Sequence, residues 1–357
     1  MRIAIDAREI MGGAGKARYV RELILSLSKI DQENQYFLYA WERPEFTLSA
    51  NFEFIELPKD KIRLLWLRRD LKARKIDVFL SPTGYHPVIF SPVKSVLVVH
   101  DLAVFVEKHS RPEFKTMMIE RLSLPIALRR AKHIIADSEN TRQDLMKCFK
   151  TKADKITTVL LAPFKLQGKA GSDRLPDKYV LFVGTLEPRK NVDGLVRAYA
   201  SLPDELKKEY PLVLAGRRGW HTEKIDLAIK ETSSKKYIIE TGYLSEGDLP
   251  ALYKMATAFV YPSWYEGFGL PPLEAMSYGV PVICSDTSSL PEVVGDAALQ
   301  VNPADQAEIS SALEKLLTNK ALRAKLIEAG RDQAMKFSWE KTARQTLEVL
   351  ESVGKND

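Results

Sequence analysis

Short apolar runs rich in β-formers recur along this chain, with amphipathic stretches between many of them. In the first half they read RIAIDA, QYFLYAW, FEFIEL, DVFLSP, SVLVVHD, KHIIADS and ITTVLLA. In the second half they read YVLFVGT, YPLVLAG, YIIETGY, TAFVYPS, PVICSD and AALQVNP. The pattern breaks once, at 164–178 (FKLQGKAGSDRLPDK), where Gly, Lys and Asp replace apolar residues and the chain reads as a linker. Strand–helix alternation on both sides of a linker predicts two doubly wound α/β domains, over 1–165 and 175–337. A chain of 357 residues exceeds the size at which one core stops growing, so two domains are also the expectation from length. The last stretch, FSWEKTARQTLEVLESV, is a helix that can pack on either domain. Two local signals refine the helices. Ser138 in ADSENTRQDL suits an N-cap, and Asp305 with Glu308 predicts a capping box opening a helix over 305–319.

Composition narrows the class. With 45% hydrophobic and 28% charged residues the chain has a soluble globular balance. No apolar run approaches bilayer length, and the N-terminus MRIAIDAREI enters a strand directly, so neither a leader nor an anchor is expected. Cys148 and Cys284 are far apart and form no metal-spaced cluster, which fits a reduced cytoplasmic setting and no metal site. The net charge of +6 is uneven. Residues 1–165 hold 29 Lys and Arg against 20 Asp and Glu, while the remainder holds 24 against 27. The basic half predicts an anionic partner, and with no recognised nucleic-acid motif beside it, nucleic acid is not that partner. Within it, KIRLLWLRRDLKARKI at 61–76 interleaves seven basic residues with Leu and Trp66, and is expected to meet an anionic membrane surface.

Four loops carry candidate chemistry. REIMGGAGKARYV follows the first strand, but Arg18 stands where a dinucleotide fingerprint needs its third glycine. Ile10 and Ala17 likewise break a P-loop, so the loop reads as backbone that comes close to some other ligand. SVLVVHD puts His100 at a strand tip, on the edge where open α/β sheets bind. GTLEPRKN places Arg189 and Lys190 in a βα loop opening a helix, an arrangement suited to a pyrophosphate. WYEGFGLPPLEAMSYGVPVI holds two carboxylates, Glu266 and Glu274, around a Gly-x-Gly turn. Pro271 and Pro272 suit a first helical turn and Gly279 its stop, so Glu266 is expected at a strand's C-terminal end and Glu274 in the helix's first turn. A helix-capping turn explains Glu274 but neither Glu266 nor the paired glycines.

That last block resembles the E-x7-E region of the family 4 retaining glycosyltransferases, which have the GT-B fold. The likeness extends to VGTLEPRKN, LAGRRGW, TGYLSEGDLPALY, VYPSWYEGFG and SLPEVVGDAAL, and in the first domain to IDAREIMGGAGKARYV and VVHDL. It implies two Rossmann-like domains facing each other across a cleft, with helix 338–357 crossing back to the first. It also implies a GDP- or UDP-linked sugar donor, no further cofactor, and a glycan or lipid-linked acceptor. By the resemblance, Glu274 would hold the ribose, Glu266 would lie against the donor sugar, and the N–H groups of Phe268, Gly269 and Leu270 would meet sugar and phosphate. Lys190 and Arg189 would neutralise the pyrophosphate, Gly13 would close over it, and His100 would touch the sugar's hydroxymethyl side. Gly216 would line the donor pocket, and Tyr243 and Leu244 would flank the base. Many relatives carry an Arg where this chain has Thr185, which leaves Arg189 as its replacement or the phosphate with less charge. The GTLEPRKN variant is similar to that of members using GDP-mannose. The expected activity is hexosyl transfer, with mannose as the sugar, by a cytoplasmic enzyme peripheral to the membrane's inner face. An epimerase on the same fold and a non-catalytic sugar-nucleotide-binding subunit are the alternatives.

Overall fold

A computed structural model of the chain describes every residue except 13–14, 60–61, 110–113, 165–174 and 356–357. Gly13, Lys61 and most of the expected linker therefore lie outside the described residues. All thirteen expected strands form. They are β1 (Arg2–Asp6), β2 (Gln35–Ala40), β3 (Phe52–Glu56), β4 (Val78–Ser81), β5 (Lys94–Val99), β6 (His133–Ala136), β7 (Ile156–Thr158), β8 (Tyr179–Val183), β9 (Leu212–Ala215), β10 (Ile238–Gly242), β11 (Ala256–Tyr261), β12 (Val282–Ser285) and β13 (Ala298–Val301). They build two parallel sheets, ordered β3-β2-β1-β4-β5-β6-β7 and β10-β9-β8-β11-β12-β13. In each, the chain first winds outward, then returns past its starting strand. The reversal makes a switch point between β1 and β4, and another between β8 and β11. At such a point the loops leaving adjacent strands part to opposite faces and open a crevice.

The chain divides into two compact units: Met1–Val106 with Phe114–Leu161 and Ser338–Asp357, and Glu107–Glu113 with Ala162–Phe337. Right-handed crossovers in the first unit set helices Arg63–Ala73, His86–Phe90, Phe114–Arg130 and Glu139–Phe149 on one face of its sheet. Helix Gly15–Ile30 covers the other face and packs against the final helix, Trp339–Lys355. Thr342, Ala343, Thr346, Val349, Leu350 and Val353 form the buried stripe of that last helix, at the spacing a 3.6-residue period demands. Thr342 Oγ1 also donates to the Leu160 carbonyl at 2.7 Å.

Ser138 caps its helix, accepting from the Thr141 N–H at 3.0 Å. Only half of the expected capping box forms at Asp305, whose carboxylate accepts from Ala307 and Glu308 N–H. The Asp305 N–H already donates to the Asn302 carbonyl at 3.0 Å, so Glu308 reaches past it to the Asn302 N–H at 3.1 Å.

Candidate functional site

In the second unit β8 and β9 end in turns pressed together. Gly216 has φ +153°, and a Cβ on it would fall 1.9 Å from the Gly184 carbonyl oxygen. Only a residue without a side chain fits. Gly184 N–H then donates to Ala215, and Gly216 N–H to the Gly242 carbonyl, extending the ladder past the strand ends. Backbone packing alone accounts for Gly216. Arg189 and Lys190 do not open a helix as expected; they sit in a 3₁₀ turn, Pro188–Lys190. Asn191, with φ +54°, separates that turn from helix Val192–Ala200, and its side chain donates to the Pro303 carbonyl at 2.7 Å.

Across the switch point, β11 ends at Tyr261, and Glu266 lies in the following loop, beyond the strand tip where it was expected. The two loops bring four buried or nearly buried charges into one line. Glu187 pairs with Arg189 at 3.0 Å, Arg189 with Glu266 Oε2 at 3.1 Å, and Glu266 Oε1 with Lys190 Nζ at 2.6 Å. Lys190 also donates to the Tyr261 hydroxyl at 2.6 Å, and Arg189 to the Tyr265 carbonyl at 2.7 Å. Lys190 is 7% exposed and Glu266 6%. Burial alone would raise the Glu266 pKa; Arg189 and Lys190 outweigh it and hold the carboxyl at about 2. Burial and the neighbouring Arg189 push Lys190 below the ordinary lysine value, against the pull of Glu266 and Glu187. Arg189 acts on the two in opposite senses, because it attracts the carboxylate and repels the ammonium. Desolvation opposes the attraction in such a network, but removing one member leaves an uncompensated buried charge. It stands at a crevice where open α/β sheets bind ligands.

The rest of the E-x7-E loop is pinned by serines. Glu266 N–H donates to Ser288 Oγ at 2.9 Å, and Ser289 Oγ lies 3.0 and 2.7 Å from the Glu266 and Phe268 carbonyl oxygens. Gly269, with φ +108°, is the N-cap of helix Leu270–Ser277, and a Cβ there would meet Leu290 Cδ2 at 2.6 Å. The N–H groups of Phe268, Gly269 and Leu270 have no acceptor among the described residues, leaving three donors at a helix start. Pro271 and Pro272 occupy the first turn. Glu274 does not; it is the fifth helical residue, in the second turn, because the helix starts only at Leu270. It is buried and accepts from Tyr253 OH at 2.9 Å, and Tyr253 stacks on Tyr278. Tyr243 (64% exposed) and Leu244 (half-buried) follow the edge strand β10.

Sequence reasoning missed Glu187 and Tyr261, which complete the charge line, and Trp264, whose N–H donates to the Arg189 carbonyl at 2.9 Å. His109 stacks on Trp264 with centroids 4.5 Å apart. Only Glu187 carried a signal, as an acid inside GTLEPRKN beside two cations.

His100 belongs to the first unit, at the tip of β5. Its Nδ1 lies 2.6 Å from Asp137 Oδ2 and its Nε2 2.8 Å from the Pro82 carbonyl. The expected contact with a sugar would have to compete with these two bonds. Neither nitrogen serves a ligand without giving up one of these bonds.

Residues 168–333 match the family described as glycosyl transferases group 1, and residues 13–160 match glycosyltransferase family 4. The chain is 37% identical over 302 residues to the O-antigen chain mannosyltransferase B of Escherichia coli, covering 80% of this chain and 76% of that one. It is 35% identical over 273 residues to the serotype-specific mannosyltransferase WbdA of Escherichia coli, covering 72% of this chain but 33% of that longer protein. Among solved structures, the sucrose-phosphate synthase of Thermosynechococcus elongatus matches it at a TM-score of 0.77 and 22% identity, over 99% of each chain.

Proposed function

The chain belongs to glycosyltransferase family 4, and on that premise we propose that it is a retaining, metal-independent mannosyltransferase using GDP-mannose. The acceptor in this reading is a hydroxyl of a bacterial surface glycan or of its lipid-linked precursor, met on the cytoplasmic side of the membrane. The similarity to two proteins described as mannosyltransferases supports the sugar. One observation carries the chemistry: the line Glu187–Arg189–Glu266–Lys190 at the β8/β11 switch point, beside three unpartnered N–H groups.

A diphosphate entering there accepts from the N–H groups of Phe268, Gly269 and Leu270, and competes with Glu266 for Lys190 and Arg189. As the bond from the sugar's anomeric carbon to the phosphate oxygen breaks, negative charge builds on the leaving diphosphate, and the two cations hold it more tightly than in the ground state. Glu266, released in part, turns its charge to the sugar, where positive charge develops. Glu274 binds the ribose hydroxyls. The acceptor hydroxyl attacks from the leaving group's side, the new glycosidic bond forms there, and the diphosphate takes the proton. No side-chain base is needed, which agrees with the double engagement of His100.

The test is the purified protein with GDP-mannose and a mannan oligosaccharide, with the anomeric configuration of the product read by NMR. The α-mannoside formed equally with and without EDTA is the expected result. A β-product, a requirement for added magnesium, or transfer from UDP-sugars alone would each remove the corresponding part of the reading.

A further inference from the structure

Residues Glu107–Glu113 pack with the second unit, although the chain up to Val106 and again from Phe114 packs with the first. A stretch that leaves its own unit and returns does not serve that unit's core. Its described part ends at His109, whose ring stacks on Trp264 with centroids 4.5 Å apart and planes 18° from parallel. Glu107 fixes that ring. Its Oε1 accepts from the His109 N–H at 2.9 Å and lies 2.6 Å from Nδ1. Held at backbone and ring by one carboxylate, the imidazole has little freedom to turn.

Trp264 stands where two loops of the site are joined. Its N–H donates to the Arg189 carbonyl at 2.9 Å, and Arg189 Nη1 returns to the carbonyl of the next residue, Tyr265, at 2.7 Å. Both ends of Arg189 are thus tied to adjacent residues of the loop that carries Glu266. Arg189 itself lies in the 3₁₀ turn Pro188–Lys190, and the carbonyls of so short a turn depend on donors from outside it. Thr287 Oγ1 donates to the Trp264 carbonyl at 3.3 Å, and Ser288 and Ser289 pin Glu266. Those bonds hold the loop's backbone. The His109 stack holds the half-buried Trp264 side chain.

We propose that His109 is a positioning residue for Arg189. Its ring, oriented by Glu107, keeps Trp264 seated, and Trp264 keeps Arg189 in reach of Glu266 and of the leaving diphosphate. His109 acts through Trp264 and not on the reacting atoms. That this serves turnover rests on the transferase reading, in which Arg189 gains most as charge builds on the diphosphate. A displaced cation then costs rate more than it costs donor binding.

The test uses the full chain isotope-labelled at tryptophan nitrogen, with Trp264→Phe identifying the indole and backbone signals of Trp264 among the five tryptophans. His109→Ala should shift both signals. His109→Phe, which keeps a flat ring in the stack, should return them towards the parent. In steady-state assays His109→Ala should lower kcat roughly tenfold to a hundredfold, with KM for the sugar nucleotide within about twofold of the parent. His109→Phe should recover most of that loss. In an Arg189→Ala background the His109→Ala cost should largely vanish, because a residue acting through Arg189 has nothing left to position. Trp264 signals that stay put in His109→Ala, or an unchanged kcat there, would overturn the proposal. So would a Phe variant as impaired as the Ala one, or an equal cost with and without Arg189. A parent without transfer activity would sink the transferase reading alone, and the Trp264 backbone signal would then decide whether His109 holds the turn.

Discussion

The two sheets share a winding and differ in what they hold at the switch point. After β1, Asp6 and Arg8 form a closed pair, Nε to Oδ1 and Nη2 to Oδ2, each at 2.7 Å. One acid meets one base through two parallel bonds, and no second cation shares the carboxylate in these bonds. After β8 and β11, Glu266 divides its two oxygens between Arg189 and Lys190, and Arg189 in turn shares itself with Glu187. An anion competing for Arg189 and Lys190 would displace Glu266, which then needs a new partner. Topology marks where a ligand is expected, and on the proposed reading the two cations shared by Glu266 suit a diphosphate.

The strongest test sets the two crevices against each other. Lys190→Ala should lower kcat about 100- to 1000-fold with little change in KM for the sugar nucleotide, because the lost contact strengthens as the leaving group gains charge. Arg8→Ala should lower the melting temperature and leave most of the turnover. Equal losses of kcat in steady-state assays of the two variants would erase the contrast.

Next in size is an acid-sensitive contribution to stability. Glu266 is held at about 2 in the folded protein against an ordinary value of 4.5, so its lowered pKa stabilises the fold above that value. The contribution, on the order of 3 kcal/mol, is lost as pH falls from about 4.5 towards 2. Urea unfolding should show Glu266→Gln well below the parent near neutrality and converging with it in acid. A gap that stays constant with pH would mean the carboxylate is not held by Arg189 and Lys190 as described.

A smaller effect is expected at His100. Its removal by His100→Ala leaves the buried Asp137 carboxylate without the ring, and Asp137 Oδ1 already has no hydrogen-bond partner among the described residues. A loss of about 1–3 kcal/mol in thermal or urea unfolding follows. If turnover collapsed while stability held, His100 would be acting on the sugar after all. Smallest is Glu274→Gln, where donor KM should rise about tenfold with kcat nearly unchanged, since the ribose does not react. A kcat effect larger than that of Glu266→Gln would exchange the roles of the two carboxylates.

Much of this was legible in the chain. Thirteen apolar runs became thirteen strands; the inner ones, buried along their whole length, leave a continuous apolar signature that needs no partner to be read, while edge strands such as β3 and β10 are half-buried. Pro271, Pro272 and Gly279 bounded a short helix through local backbone restrictions. Where the local signal was ambiguous by a residue or two, Glu274 fell one turn further in than expected, and Asp305 formed half a box. In the 61–76 stretch the part that local pattern left undecided was orientation. Seven cations in sequence mark a basic surface, but which leucines face the core depends on the sheet beneath them.

Sequence alone determined the strand order in the chain, the two-domain division and the residue types available for an anion, because period, turn chemistry and motif spacing are local or nearly so. Tertiary structure decided the partnerships. Lys190 and Glu266 are seventy-six positions apart, and only the return of the chain from β10 to β11, beside β8, brings them to 2.6 Å. The same return gives Glu266 two cations and Glu274 a tyrosine, though both lie in one motif. Burial then sets the strength of those contacts, since charges removed from water interact in a medium that screens them less.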